Sequence, residues 1–164
     1  MICNARVLTD CWTDFIDHVG KNIPGGWQWF TTLTFKSFNV GPESASKAWN
    51  RWLRKLNKEC FGNHYQREGK GIVVVRATEM QQREVIHFHA LMGGGLGNIL
   101  RKSYEAEWNK ENGFAFIKPY RGEQGAKRYI AKYVSKGGEL DVSVPPGLRS
   151  KVSELPYSCK NIVG

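Results

Sequence analysis

The chain has 164 residues, enough for one independently folding domain, and its hydrophobic share of 41% with 12% aromatics is that of a folded globule. Lysine and arginine outnumber aspartate and glutamate by 24 to 15, a net charge of +9 that favours a polyanionic partner. No apolar run approaches the roughly 20 residues that span a bilayer, and no signal-peptide pattern opens the chain. Charge alone leaves ribosomal, RNA-binding and membrane-surface roles open.

In residues 1–26, Trp12, Phe15, Ile16 and Val19 fall at helical spacing, and Pro24-Gly25-Gly26 marks a turn. Residues 27–36 read as a strand rich in aromatic and β-branched residues. One face carries Trp27, Trp29, Thr31, Leu33 and Phe35; the other carries Gln28, Phe30, Thr32, Thr34 and Lys36. The second face is the one that can support a site. Gly41-Pro42-Glu43-Ser44 opens a helix, with proline and an acidic residue in the first turn. Its Ala45, Ala48, Trp49, Trp52, Leu53 and Leu56 should pack on the sheet, and Lys47, Arg51, Arg54, Lys55 and Lys58 should face solvent. Residues 61–70 form a polar loop in which His64 is a surface residue.

The most informative stretch is Glu79 to His89. Residues 71–79, Gly-Ile-Val-Val-Val-Arg-Ala-Thr-Glu, and the run Ile86-His87-Phe88-His89-Ala90-Leu91 both read as strands, joined by polar residues 81–84. Alternation sends both imidazoles to one side and Phe88 into the core. A hairpin centred on Arg83 puts Glu79 opposite His87, with Cβ atoms roughly 4.5–5.5 Å apart. One carboxylate and two imidazoles then converge, as a divalent metal requires. His-x-His alone is a weak signal, equally compatible with two satisfied, partly buried histidines.

Downstream, Gly93-Gly94-Gly95-Leu96-Gly97 is a flexible connection without the lysine and hydroxyl of a phosphate-cradling loop. Asn98 is a candidate cap for a helix whose inward positions are Leu100, Tyr104 and Trp108. Residues 114–118 form a fourth strand. Residues 121–136 form a helix that carries two consecutive Tyr-x-x-Lys units, Tyr129 to Lys132 and Tyr133 to Lys136, closed by Gly137 and Gly138. Tyr129 and Tyr133 are one turn apart and share a face. From Glu139 the chain has little periodicity. It either wraps the domain, covers a ligand, or leads into a longer protein. The cysteines, at 3, 11, 60 and 159, make no Cys-x-x-Cys pair and read as four free thiols. The element order predicts an α+β fold, an antiparallel central sheet with helices packed on it, ferredoxin-like or RRM-like.

Three stretches, in order, resemble the motifs of the HUH endonucleases: residues 30–35 (Phe-Thr-Thr-Leu-Thr-Phe), residues 86–91 around His87 and His89, and residues 129–136. The last most resembles the two-tyrosine rolling-circle replication initiators of single-stranded DNA phages and plasmids. The resemblance spans residues 27–138, which would leave 1–26 as an N-terminal extension and 139–164 as a C-terminal tail. It implies site-specific nicking and rejoining of single-stranded DNA, or of an origin hairpin, through a 5′-phosphotyrosine. Tyr129 and Tyr133 would be the nucleophiles, with Tyr129 cutting first, and Lys132 and Lys136 would stabilise charge. Mn²⁺ or Mg²⁺ would sit on His87, His89 and a carboxylate, which the resemblance assigns to Glu79; Glu84 and Gln81 are alternatives. No helicase motif is present, so a host helicase and polymerase are implied partners, in the cytoplasm of a bacterial or archaeal host. A HUH transposase or relaxase would use the same chemistry. A noncatalytic RRM-like nucleic-acid-binding domain would explain charge and fold without it.

Overall fold

The computed structural model describes residues 5–80, 84–122, 124–135 and 138–153. In chain order the elements are α1 (Ala5–Asn22), β1 (Trp27–Thr34), α2 (Pro42–Phe61), β2 (Val73–Met80), β3 (Ile86–Gly93), α3 (Arg101–Glu111), β4 (Ala115–Pro119), α4 (Gln124–Ser135), β5 (Glu139–Ser143), a 3₁₀ turn (Pro146–Leu148) and a last helical turn, α5 (Arg149–Val152). The strands form one antiparallel sheet in the order β4-β1-β3-β2-β5. The expected α+β architecture is present.

β3 is central, and helices cover both of its faces, which is why Ile86 to Leu91 is apolar almost throughout. On one side α2 and α3 bury Trp49, Trp52, Leu56, Tyr104 and Trp108 against Trp29, Leu33, Phe88 and Met92. On the other, α1 and α4 bury Ile16, Val19, Ile130 and Ala131 against Val73, Val75, Ala77 and Leu91. Pro42 starts α2 as its missing N–H allows, and the predicted face of that helix is the buried one. The hairpin register pairs Glu79 with His87, as the centring on Arg83 predicted.

Several expectations fail for local reasons. Trp27 does not share a face with Trp29, because a bulge between them turns Trp27 onto α1, where its indole N–H donates to the Ile16 carbonyl at 2.8 Å. Gly20 admits that ring, since a Cβ there would lie 2.4 Å from it. Asn98 does not cap α3. The helix starts at Arg101 with Leu100 at the cap, 66% exposed, and Ile99 packs on the core in its place. Tyr104 and Trp108 are buried as expected.

The stretch after Glu139 supplies β5, an edge strand paired with β2. Leu140 is its inward contact, and Arg76 pairs across the ladder with Asp141. With one inward apolar residue in five, the segment carries too little alternation to read as a strand. Beyond it, the Gly147 N–H donates to the Gly69 carbonyl at 2.9 Å, and Val152 is buried under α1 and α4. Cys11, expected to be a free thiol, is disulfide-bonded. Which cysteines meet depends on how the fold brings distant residues together, and spacing along the chain does not encode that. Cys60 is a free thiol, pushed up to about 11 by burial. Cys3 and Cys159 lie outside the described residues.

Candidate active site on the sheet face

The site grows from one row of the sheet. β3 presents His87 and His89 on the face toward α4, because Phe88 and Ala90 between and beyond them enter the opposite core. The neighbouring strands set Thr32 beside His89, Thr34 beside His87, and Glu79 across from His87. α4 lies over this face, anchored by Ile130 and Ala131, both fully buried. That anchoring aims Tyr129 and Tyr133 at the histidines.

His89 is held at both ring nitrogens. Its Nε2 is 3.3 Å from Glu79 Oε2 and its Nδ1 is 3.2 Å from Thr32 Oγ1. A carboxylate only accepts, so Nε2–H donates to Glu79 and Nδ1 accepts from the threonine hydroxyl. Burial lowers the His89 pKa, against the opposing pull of Glu79. The Glu79 contact is therefore a hydrogen bond to a neutral ring rather than an ion pair. His87 is also lowered, first by burial and then by His89.

The two tyrosines occupy different environments. Tyr133 is 6% exposed, stacks on His89 with ring centroids 5.4 Å apart and planes 7° from parallel, and donates its hydroxyl to Glu79 Oε2 at 3.0 Å. Burial, then its hydrogen bonds with Tyr129 and Glu79, pushes this phenol well above its ordinary value. Tyr129 is 39% exposed. It meets His89 edge-on at 5.1 Å, Tyr133 at 5.3 Å and Phe30 at 6.2 Å.

Of the other predicted site residues, Lys132 is exposed on α4, and Lys136 lies outside the described residues. His87 shares the face, with its ring centroid 6.4 Å from that of His89. Among the described residues, no three His, Cys, Asp or Glu side chains are gathered as a metal cage. Glu79 and His89 touch one another, and Glu79 is also engaged by Tyr133. The donor types nonetheless suit a divalent cation, with two neutral imidazoles and a carboxylate on adjacent strands. Glu84 is exposed at the hairpin end with φ of 57°, and Gln81 lies outside the described residues.

Sequence reasoning did not find the cleft beside the site, about 300 Å³, walled by Phe30, Thr32, His89, Lys118, Tyr120 and Tyr129. It also missed the ties between α1 and α4, Asp17 with Lys127 and Asp10 with Arg128 at 2.7 Å. Strand alternation in residues 114–118 was the available signal for the cleft. No local signal marks an ion pair between residues more than a hundred positions apart.

The family model for the replication-associated proteins of the ORF2 group matches residues 28–138. The chain belongs to this family, and its function lies in DNA replication. No curated protein and no solved structure matches the chain. No helix among the described residues is long and apolar enough to cross a membrane.

Proposed function

We propose that this domain nicks and rejoins single-stranded DNA through a tyrosine–phosphate link, and so initiates rolling-circle replication of a phage or plasmid genome. The observation that carries this reading is the meeting of two tyrosines from α4 with His89 and Glu79 on the sheet face, inside a replication-associated family. Phosphodiester transfer needs a nucleophile and neutralisation of the phosphate, and both kinds of group are within one cluster.

The Tyr129 hydroxyl attacks the scissile phosphorus, forming the phosphotyrosine bond. The bond from phosphorus to the 3′-oxygen breaks, and that oxygen takes a proton to become the 3′-hydroxyl a polymerase extends. The linkage keeps the energy of the original phosphodiester, so the reverse attack by a 3′-hydroxyl rejoins ends without a nucleotide cofactor. Tyr129 makes the first cut because it is the exposed phenol. Tyr133, buried and bonded to Glu79, resists ionisation until that bond opens. A second tyrosine lets the protein cut again while the first still holds an end.

Glu79, His87 and His89 are the residues that would hold Mn²⁺ or Mg²⁺, which supplies Lewis-acid polarisation of the phosphate. The lowered histidine pKa values keep both imidazoles neutral, the form that ligates. Thr32 fixes the His89 ring, and Lys132 and Lys136 supply positive charge on the tyrosine helix.

The test is incubation with Mn²⁺ and a single-stranded oligonucleotide library, followed by a denaturing gel. The wild type should form a covalent adduct, and the Tyr129→Phe/Tyr133→Phe double variant should form none. If the wild type binds DNA and never becomes linked to it, the domain is a noncatalytic nucleic-acid binder.

A further inference from the structure

Helices α1 and α4 do not cover the whole of the site's face. At its β4 side the sheet is open, and there the chain displays aromatic rings next to positive charge. Thr32 pairs with His89 on one side and with Phe116 on the other, so the three share one row across the sheet. Directly opposed residues point to the same side, and strands lie about 4.8 Å apart, so Phe116 stands about 10 Å from His89 on the same surface. In the next row Phe30 pairs with Lys118. Phe116 is 41% exposed, although its neighbours Ala115 and Ile117 are buried in the other core. Lys118 lies over the Phe116 ring, 5.2 Å from its centroid. Phe30 continues the aromatic surface to Tyr129.

An exposed phenylalanine on a strand gains nothing for the fold, and a strand edge is where an apolar ring is a liability. Its placement suits a ligand that offers flat π faces joined by negative charge. We propose that Phe116, with Phe30 and Lys118, is a stacking platform for a base of single-stranded DNA next to the scissile phosphate. The inference rests on the nicking reading, and it names where the substrate lies. A base stacks on Phe116 and the adjoining phosphate meets Lys118. The neighbouring sugar enters the 300 Å³ cleft that leads to Tyr129 and His89. That volume is at the small end of ligand clefts, room for part of one nucleotide. Stacking of this kind tolerates any base, because every base has a π face. The chain's charge of +9 supplies the matching attraction to phosphates.

Two labelled probes separate stacking from charge: a twelve-residue oligothymidylate and a twelve-unit abasic strand with the same phosphates. Phe116→Ala should weaken oligothymidylate binding by at least about fivefold and leave the abasic strand unaffected. Lys118→Ala should weaken both alike and shallow the salt dependence by about one unit of slope. Circular dichroism checks that these exposed-site variants remain folded. Phe116→Ala binding oligothymidylate as tightly as wild type, or losing both probes equally, overturns the platform. Adduct formation run in parallel keeps the two readings apart. Adducts with a silent Phe116→Ala leave nicking standing and remove the platform. A Phe116→Ala defect specific to oligothymidylate, without any adduct, does the reverse.

Discussion

His89 shows how much of the site depends on single side chains. Its two ring nitrogens are committed, one to Glu79 and one to Thr32, and two phenol rings close over it. Thr32→Val keeps the shape of the threonine and removes the group that orients the imidazole. Such a partner to a ligand typically changes metal affinity by about 10- to 100-fold. Titration calorimetry with Mn²⁺ should therefore show weaker binding by that factor in Thr32→Val, at unchanged thermal stability. Equal affinity would mean that His89 is not a ligand. The tyrosines make a second contrast. Tyr129→Phe should abolish the first adduct, whereas Tyr133→Phe should leave it and lose the second transfer. Gel assays on a substrate with two cleavable sites distinguish the two variants, and the reversed pattern would reassign the roles.

Among the elements, the central hairpin and the tyrosine helix were legible from local pattern, because each is strongly periodic and its turn or stop is marked. The position of α1 was not. Its apolar spacing announces a helix, but not that Asp17 would reach the buried amino group of Lys127 on α4. That carboxyl is held below its ordinary value near 3.8, chiefly by the hydrogen bond from Lys127 and then that from Lys21. A carboxyl depressed in the folded state contributes stability that is fully present above its ordinary pKa. The contribution is lost as pH falls below that value, through the folded one. Asp17→Asn should lower Tm at neutral pH by about 3–6 °C, corresponding to about 1–2 kcal/mol. Asp17 is over a third exposed, and screening keeps the effect at this low end. The deficit should shrink below pH 3.8, where wild type loses the same pair. A constant deficit from pH 7 to pH 3 would show that the pair does not titrate with stability. β5 and the turned Trp27 escaped the sequence for related reasons. One is an edge strand with a single inward residue, and the other depends on a bulge that alternation does not reveal.

Across the whole molecule, the sheet works as a partition. One face is sealed by α2 and α3 around stacked indoles and gives the domain its rigidity. The other is covered by α1 and α4 over most of its width, and it is left open at β4, beside the histidines. The ligand types, the tyrosine pair and the shared face of β1 could be read from residue order. The open edge could not, because it depends on where two distant helices stop. Delivery of the nucleophile to this face by α4 is what nicking requires above all, and peptide mapping of the protein–DNA adduct tests it most directly. Trypsin cuts after Arg128, Lys132 and Lys136, so the two tyrosines fall in separate peptides, Tyr129 to Lys132 and Tyr133 to Lys136. After a single round of cleavage with Mn²⁺, mass spectrometry should find a 5′-phosphonucleotide on the Tyr129 peptide. A nucleotide attached to a residue outside α4 would contradict that delivery.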